Sequence, residues 1–328
     1  MISPETVQPA APGTEKGTGL PGPVRLAAQL VRSFGQLSLL PNAWTGVLFT
    51  LAVFLGSWQS GVFGVLGAVV STATAYVMGV DRGAIDLGTQ GFSGCLTGIA
   101  LYVFLGSHPS TYLLTIGGAV VCVLAYSALT AMLAPWRLPV LTAPFCVVVG
   151  AALAAAPAFT RLWPWPVGPA ALPTAAVPGG RYTWSDLWHG FFANIAQVGL
   201  SAHWYVGVIM LVGLFVGGIR HGLAAVAGSV VAVLLAWGLG APPAGLAAGV
   251  YGYNAVLVAV ALGGMFLVRT VPNALYTLVA VAVVTVLTAA MNAYFTPFGG
   301  RTLSWPFIIT SWLFLAAAPS FPRIRRSD

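Results

Sequence analysis

Apolar runs fall at about 43–58, 61–80, 92–106, 111–134, 138–157, 204–218, 221–240, 249–268, 272–292 and 303–320, separated by short polar or glycine-rich breaks. Most approach the ~20 residues an α-helix needs to cross a bilayer, allowing for tilt or kinking. The pattern therefore predicts about ten membrane-spanning helices. The segment 158–186 interrupts it with prolines and tryptophans and reads as an external linker. Trp163, Trp165 and Trp184 there suit the membrane–water interface. Residues 1–24 are polar, rich in Gly and Pro, and lack an apolar h-region, so they read as a disordered tail and not as a signal peptide.

The apolar pattern also repeats. Shifted by 161 residues, glycine meets glycine at Gly46/Gly207, Gly56/Gly217, Gly61/Gly222, Gly67/Gly228, Gly79/Gly240, Gly88/Gly249 and Gly91/Gly252. Gln36 meets Gln197, Phe54 meets Phe215, Phe92 meets Tyr253 and Leu96 meets Leu257. With one further residue of offset, TAPF at 142–145 meets SWPF at 304–307. Two halves of an odd number of crossings each lie in the membrane with opposite orientation, related by a pseudo-two-fold axis in its plane. Interrupted segments at matching places in such halves point to a binding site. Here they are GTQGFSGCLTGI at 88–99 and GVYGYNAVLVAV at 249–260.

Composition agrees with a lipid-solvated chain. Of 328 residues, 58% are hydrophobic and 6% charged, with a mean hydropathy of +0.91; soluble domains carry about 25% charged residues. The acidic residues Glu5, Glu15, Asp81, Asp86, Asp186 and Asp328 all avoid the middle of an apolar run, and the basic ones sit at the tails or between runs. The net charge of +7 thus reads as cytoplasmic loop and tail charge, with both termini inside and an even number of spans. Nothing interleaves a basic patch with aromatics as a nucleic-acid surface does. Cys95, Cys122 and Cys146 lie in apolar segments without CxxC spacing and read as small core residues.

Candidate chemistry is sparse. No HExxH, paired carboxylates, Ser/His/Asp set or phosphate loop lies in the apolar runs, and His108, His189, His203 and His221 sit near segment ends. The sequence therefore predicts neither an enzyme nor a cofactor or metal site. It also disfavours a proton relay or ion-coupled carboxylate site, which leaves a path for a neutral solute. The polar groups available to such a path are Gln36 and Gln197, which open the halves, and Thr142 and Ser304, each two residues before a proline. Proline frees a carbonyl of the preceding turn, and irregular backbone at membrane depth is tolerated only against protein or a watery cavity. The glycine-rich segments are expected to be short helices that enter the membrane and stop. A single membrane glycine usually serves close packing, and a single Thr or Ser usually bonds its own i−4 carbonyl. Pairing of the same residue types under the repeat argues for more.

These residues carry a resemblance. GQLSLLPNAWTGVLF, STATAYVMGVDRGAI, GFSGCLTGIAL and WRLPVLTAPF in the first half, then GVYGYNAVLVAVALGGMF and LSWPFIITSWLFL in the second, resemble the urea transporters in order over about residues 33–320. The resemblance implies an all-α integral membrane fold: about ten transmembrane helices plus re-entrant half-helices, in two inverted homologous halves around a central pore. It implies a homotrimer, each protomer with its own slot-like pore for passive, channel-like passage of urea or a similar small neutral amide across the cell membrane. By position, Gln36 and Gln197 would be polar pore residues. Leu39, Phe92, Leu96, Val198, Tyr253 and Leu257 would wall the slots, and Thr142 and Ser304 would form the central constriction. The implied organisation is a tail at 1–32, a first half at 33–157, a linker at 158–190, a second half at 191–320 and a basic cytoplasmic tail at 321–328. Departures from the family pattern are HWYVG at 203–207, Leu39 and Tyr253 in the slot walls, Ser93 where asparagine is usual, and Ser304 for threonine. They leave open another small neutral solute (a short amide, ammonia or water) or a non-conducting relative.

Overall fold

The computed structural model describes residues 22–163 and 180–327. The tail before Gly22, Trp165 and Asp328 lie outside the described residues. The first series of helices is α1 (Gly22–Gly35), α2 (Ala43–Gly56), α3 (Trp58–Val77), the short α4 (Arg82–Asp86), α5 (Gly91–Leu105), α6 (Pro109–Leu133) and α7 (Ala143–Ala155). The second is α8 (Trp184–Ala196), α9 (Trp204–Gly217), α10 (Ile219–Gly238), the short α11 (Pro243–Ala247), α12 (Tyr253–Val258), α13 (Val271–Phe295) and α14 (Trp305–Ala317). Helix α12 runs on as a π-helix over Ala259–Phe266. Among the described residues there is no strand, only an isolated bridge between Leu267 and Arg326.

The second series repeats the first element by element. Helices α2 and α9 begin at Ala43 and Trp204, 161 residues apart, and α7 and α14 begin at Ala143 and Trp305, 162 apart. The extra residue enters between α12 and α13, the stretch that contains the π-helix, and wider π-turns are a common way for a helix to absorb an insertion. Local sequence sets the breaks. Gly88 and Gly249 take φ values of 76° and 72° just before α5 and α12, a region in which a side chain is strained. Prolines occupy the first turns of α6, α7, α13 and α14, where their missing N–H has no partner to lose.

Helix lengths differ from the apolar run lengths. By length and composition, four helical stretches can cross a membrane alone: Trp58–Val77, Pro109–Trp136, Ile219–Gly238 and Val271–Phe298. Six can if each bent pair counts as one, the pairs being Gly22–Ser38 with Ala43–Gly56, bent by 80°, and Trp184–Gly199 with Trp204–Gly217, bent by 72°. The runs 92–106, 138–157, 249–268 and 303–320 fold as shorter apolar helices. The 15 residues of α5 rise about 22 Å, against about 30 Å of hydrocarbon. Residues 22–32, expected in the tail, form most of α1, because Arg25, Gln29 and Arg32 bond Asp86 and Tyr76 instead of water. The C-terminal strip is docked as well: Val268 N–H and Asn273 Nδ2 both donate to the Arg325 carbonyl, at 3.0 and 2.8 Å.

Close backbone approaches hold the bundle. A Cβ on Gly67 would lie 1.9 Å from the Gly94 carbonyl oxygen, so α3 and α5 meet backbone to backbone. A Cβ on Gly46 or Gly207 would lie 2.1 or 1.9 Å from the carbonyl oxygen of Val31 or Phe192, which fixes how each bent pair folds. Small residues at helix contacts are the usual membrane solution, because lipid supplies no hydrophobic drive for association. Meanwhile Leu113, Leu275, Val279 and Val286 on α6 and α13 are exposed. An apolar surface of this extent matches a lipid surround.

Candidate functional site

Both helical series contribute to one cavity of about 260 Å³. Leu37, Leu96, Phe104, Thr142 and Phe145 come from the first series; Gln197, Val198, Leu200, Val250, Tyr253, Leu257, Asn292 and the stretch 301–304 come from the second. Among the described residues no acidic side chain lines it. Most of its wall is apolar, and its polar groups are amides, hydroxyls and the guanidinium of Arg301.

The backbone around it is strained in a repeated way. Leu39 and Leu200 have φ of 64° and 59°, and Leu141 and Leu303 have φ of 53° and 48°. Each such non-glycine residue costs about 1–3 kcal/mol and persists only where the surroundings impose it. The first pair ends the 3₁₀ turns that close α1 and α8, with Leu39 N–H donating to the Gln36 carbonyl and Leu200 N–H to the Gln197 carbonyl, both at 2.9 Å. The second pair precedes Thr142 and Ser304, the residues at the starts of α7 and α14.

Neither of those two hydroxyls caps its own helix. They bond each other instead, Thr142 Oγ1 to Ser304 Oγ at 2.7 Å, and Ser304 Oγ also contacts Cys146 Sγ at 3.1 Å. Both residues are buried. The Tyr253 hydroxyl, an addition at that place in the sequence pattern, donates to the Leu303 carbonyl at 2.5 Å. Gln36 and Gln197 make the same bond in each series: Gln36 Nε2 donates to the Leu87 carbonyl at 3.0 Å and Gln197 Nε2 to the Ala248 carbonyl at 2.9 Å. Each thereby ties the first arm of a bent pair, at its bend, to the turn before α5 or α12.

The structure brings Leu96, Thr142, Gln197, Val198, Tyr253, Leu257 and Ser304 together around the cavity. It does not bring Gln36, Leu39 or Phe92 to that wall. Gln36 is held by Leu87, Leu39 packs in the core at its left-handed turn, and Phe92 is buried edge-on to Tyr126 with ring centroids 6.5 Å apart. Sequence reasoning missed Leu37 and Leu200. The signal was present: the 161-residue shift carries Val198 onto Leu37 and Leu39 onto Leu200. Phe104, Asn292 and Arg301 had no such signal, because their repeat partners are Met265, Thr130 and Pro139.

The altered HWYVG entrance keeps the bend. In the first series Asn42 Oδ1 accepts from Trp44 N–H and Thr45 N–H, whereas His203 makes no side-chain cap and stacks its ring on Tyr205 at 5.1 Å. Losing an asparagine cap typically costs about 1 kcal/mol. Beside this entrance lies a second, more polar cavity of about 560 Å³, lined by Ser57, Ser60, Tyr102, Ser201 and His203 among others. Leu200 lines both cavities. The three cysteines are free and buried. No group of three or more His, Cys, Asp or Glu among the described residues could hold a metal ion.

A family model described as urea transporter matches residues 27–319. Among curated proteins, the chain is 29% identical to urea transporter 1 of Ovis aries over 303 residues, covering 90% of this chain and 78% of that one. It is 27% identical to urea transporter 1 of Rattus norvegicus over 305 residues, with the same coverage of 90% and 78%.

Proposed function

The chain belongs to the urea transporter family, and from that premise we propose that it is a passive, channel-like urea permease. The observation that carries this reading is the cavity itself. It is mostly apolar, has no carboxylate among its described lining residues, is built from both helical series, and contains the buried Thr142–Ser304 hydroxyl pair. Urea has four N–H donors and one carbonyl, and an unpaired polar group in an apolar medium costs roughly 2–7 kcal/mol. Hydroxyl oxygens and the carbonyl ends of the bent helices accept those N–H bonds in turn. The apolar walls offer a hydrated ion nothing in exchange for its water.

In this reading Gln36 and Gln197 brace the two bent pairs, and Leu96, Val198, Tyr253 and Leu257 wall the slot with Leu37 and Leu200. Thr142 and Ser304 supply the acceptors of its centre, while Phe92 and Leu39 back the corresponding region of the first series. The two series are halves of opposite orientation, 33–157 and 191–320, joined by a linker at 158–190. About ten transmembrane helices cross the cell membrane, with re-entrant half-helices in addition. Three protomers assemble, each with its own path.

Stopped-flow light scattering on proteoliposomes tests this. Urea entry should far exceed that of empty liposomes and should be indifferent to imposed proton or sodium gradients. Urea entry at the empty-liposome rate refutes the proposal, and entry that tracks an ion gradient refutes the passive mechanism.

A further inference from the structure

One charge interrupts the neutrality of the cavity wall. Arg301 lines the cavity while remaining exposed, so it stands at a mouth and not at the buried hydroxyl pair. Its guanidinium carbon lies 5.1 Å from the centroid of the Phe104 ring, another lining residue, a placement that fixes the planar cation against an aromatic face. Among the described residues no carboxylate bonds Arg301, and the sequence contains no Asp or Glu from residue 187 to residue 327.

A second donor lines the same cavity. Thr302 Oγ1 donates to Asn292 Oδ1, which occupies the amide oxygen and leaves the Asn292 N–H groups without a protein acceptor among the described residues. The arrangement is confined to one half. The repeat partners of Arg301 and Asn292 are Pro139 and Thr130, which carry neither charge nor amide. At the repeat-related positions the first series thus carries neither this charge nor this amide.

We propose that Arg301, with Asn292, is a specificity-determining oxyanion and carbonyl site at this mouth. It captures the oxygen end of a planar trigonal molecule and turns away a planar cation of the same shape. The reasoning needs only donors and charge. A guanidinium presents rigidly spaced N–H groups to an oxygen acceptor, and an unpaired charge at a narrow, low-dielectric opening raises the local concentration of the opposite sign. Urea, nitrate and guanidinium are planar and nearly equal in size, and differ in whether oxygen or N–H fills the rim. The site orders them nitrate, then urea, then guanidinium. The part concerning urea rests on the permease reading above; the binding of nitrate does not.

The test is competition, using the full chain in proteoliposomes. Urea entry is followed in potassium chloride, in potassium nitrate and in guanidinium chloride at equal ionic strength. In the wild type nitrate should slow urea entry relative to the chloride control, with guanidinium matching that control. Arg301→Gln should abolish the nitrate effect, and Arg301→Glu should make guanidinium the inhibitor. Titration calorimetry of nitrate into the purified protein gives an independent reading: heat of binding in the wild type and none in Arg301→Gln. Should the wild type conduct no urea, the permease reading fails, while the calorimetry still decides the site. Equal nitrate inhibition in wild type and Arg301→Gln, or no nitrate binding to the wild type, overturns the proposal. Arg301 is exposed, so a matching size-exclusion profile suffices to establish that the variants fold.

Discussion

Removing either hydroxyl of the Thr142–Ser304 pair should slow urea and leave the fold in place. In the structure the two oxygens are 2.7 Å apart and buried, so each satisfies the other when no solute is present. A urea passing between them replaces that bond with bonds to its own N–H groups. Thr142→Val keeps the shape of the side chain but removes one acceptor at a place where water cannot substitute. An unmet hydrogen bond there costs about 1–3 kcal/mol, and each 1.4 kcal/mol of added barrier is about tenfold in rate. Urea flux should therefore fall about tenfold, and up to roughly a hundredfold at the upper end of that range. The two variants should differ in stability. After Thr142→Val, Ser304 Oγ retains Cys146 Sγ at 3.1 Å, whereas Ser304→Ala leaves Thr142 Oγ1 only its weaker interaction with the Cys146 thiol. Ser304→Ala should be the less stable of the two by about 1 kcal/mol, and the double variant should cost less than the sum of the singles. The assay is stopped-flow urea entry normalised to reconstituted protein, paired with thermal unfolding by fluorescence-detected size exclusion. Flux within twofold of wild type in both folded variants would refute the placement of the constriction here.

Other parts of the structure make separate predictions. Gly207→Ala puts a Cβ 1.9 Å from the Phe192 carbonyl oxygen and should lower stability by about 1–3 kcal/mol or prevent folding. Gly117→Ala, with nothing within 4 Å, should leave the melting temperature unchanged. Leu200→Ala shortens a side chain that lines both cavities, so methylurea and thiourea should gain flux relative to urea in the same proteoliposome assay; an unchanged ratio would remove Leu200 from the wall. Asp86 accepts from Arg25 at 2.8 and 2.5 Å and from Gln29 at 2.6 Å. The hydrogen bond from Arg25 holds the Asp86 carboxyl below its ordinary range, against the opposing effect of burial. A depressed carboxyl contributes stability that is present above the unfolded value and lost as pH falls through the folded one. The wild type should accordingly lose melting temperature below about pH 4, and Asp86→Asn should start lower and flatten that dependence.

Much of this protein is legible in its sequence alone, and for a physical reason. Bilayer solvation leaves its mark on composition, so a chain with 58% hydrophobic and 6% charged residues declares its surroundings by itself. A duplicated architecture preserves glycines wherever two backbones touch. The pairs Gly46/Gly207 and Gly88/Gly249 could therefore be aligned in sequence before their contacts with Val31, Phe192, Arg32 and Ala193 were visible. Gln36/Gln197 and Thr142/Ser304 could be singled out on the same ground.

What the sequence could not decide was where helices stop and what faces what. Apolar run length counts residues that lipid or protein will accept, and it does not distinguish a span from the second arm of a bend. Residues 43–58 and 204–218 proved to follow bends of 80° and 72°, and α1 reached back to Gly22 because its polar face met Asp86. Left-handed leucines at 39, 141, 200 and 303 have no sequence signature, since tertiary packing imposes that conformation against local preference. Nor does the repeat reveal where its halves diverge in role. Only the tertiary structure set Arg301 over Phe104 at the mouth of the cavity, joined Thr142 to Ser304 across 162 residues, and left Phe92 behind in the core, because each depends on contacts between segments far apart in the chain.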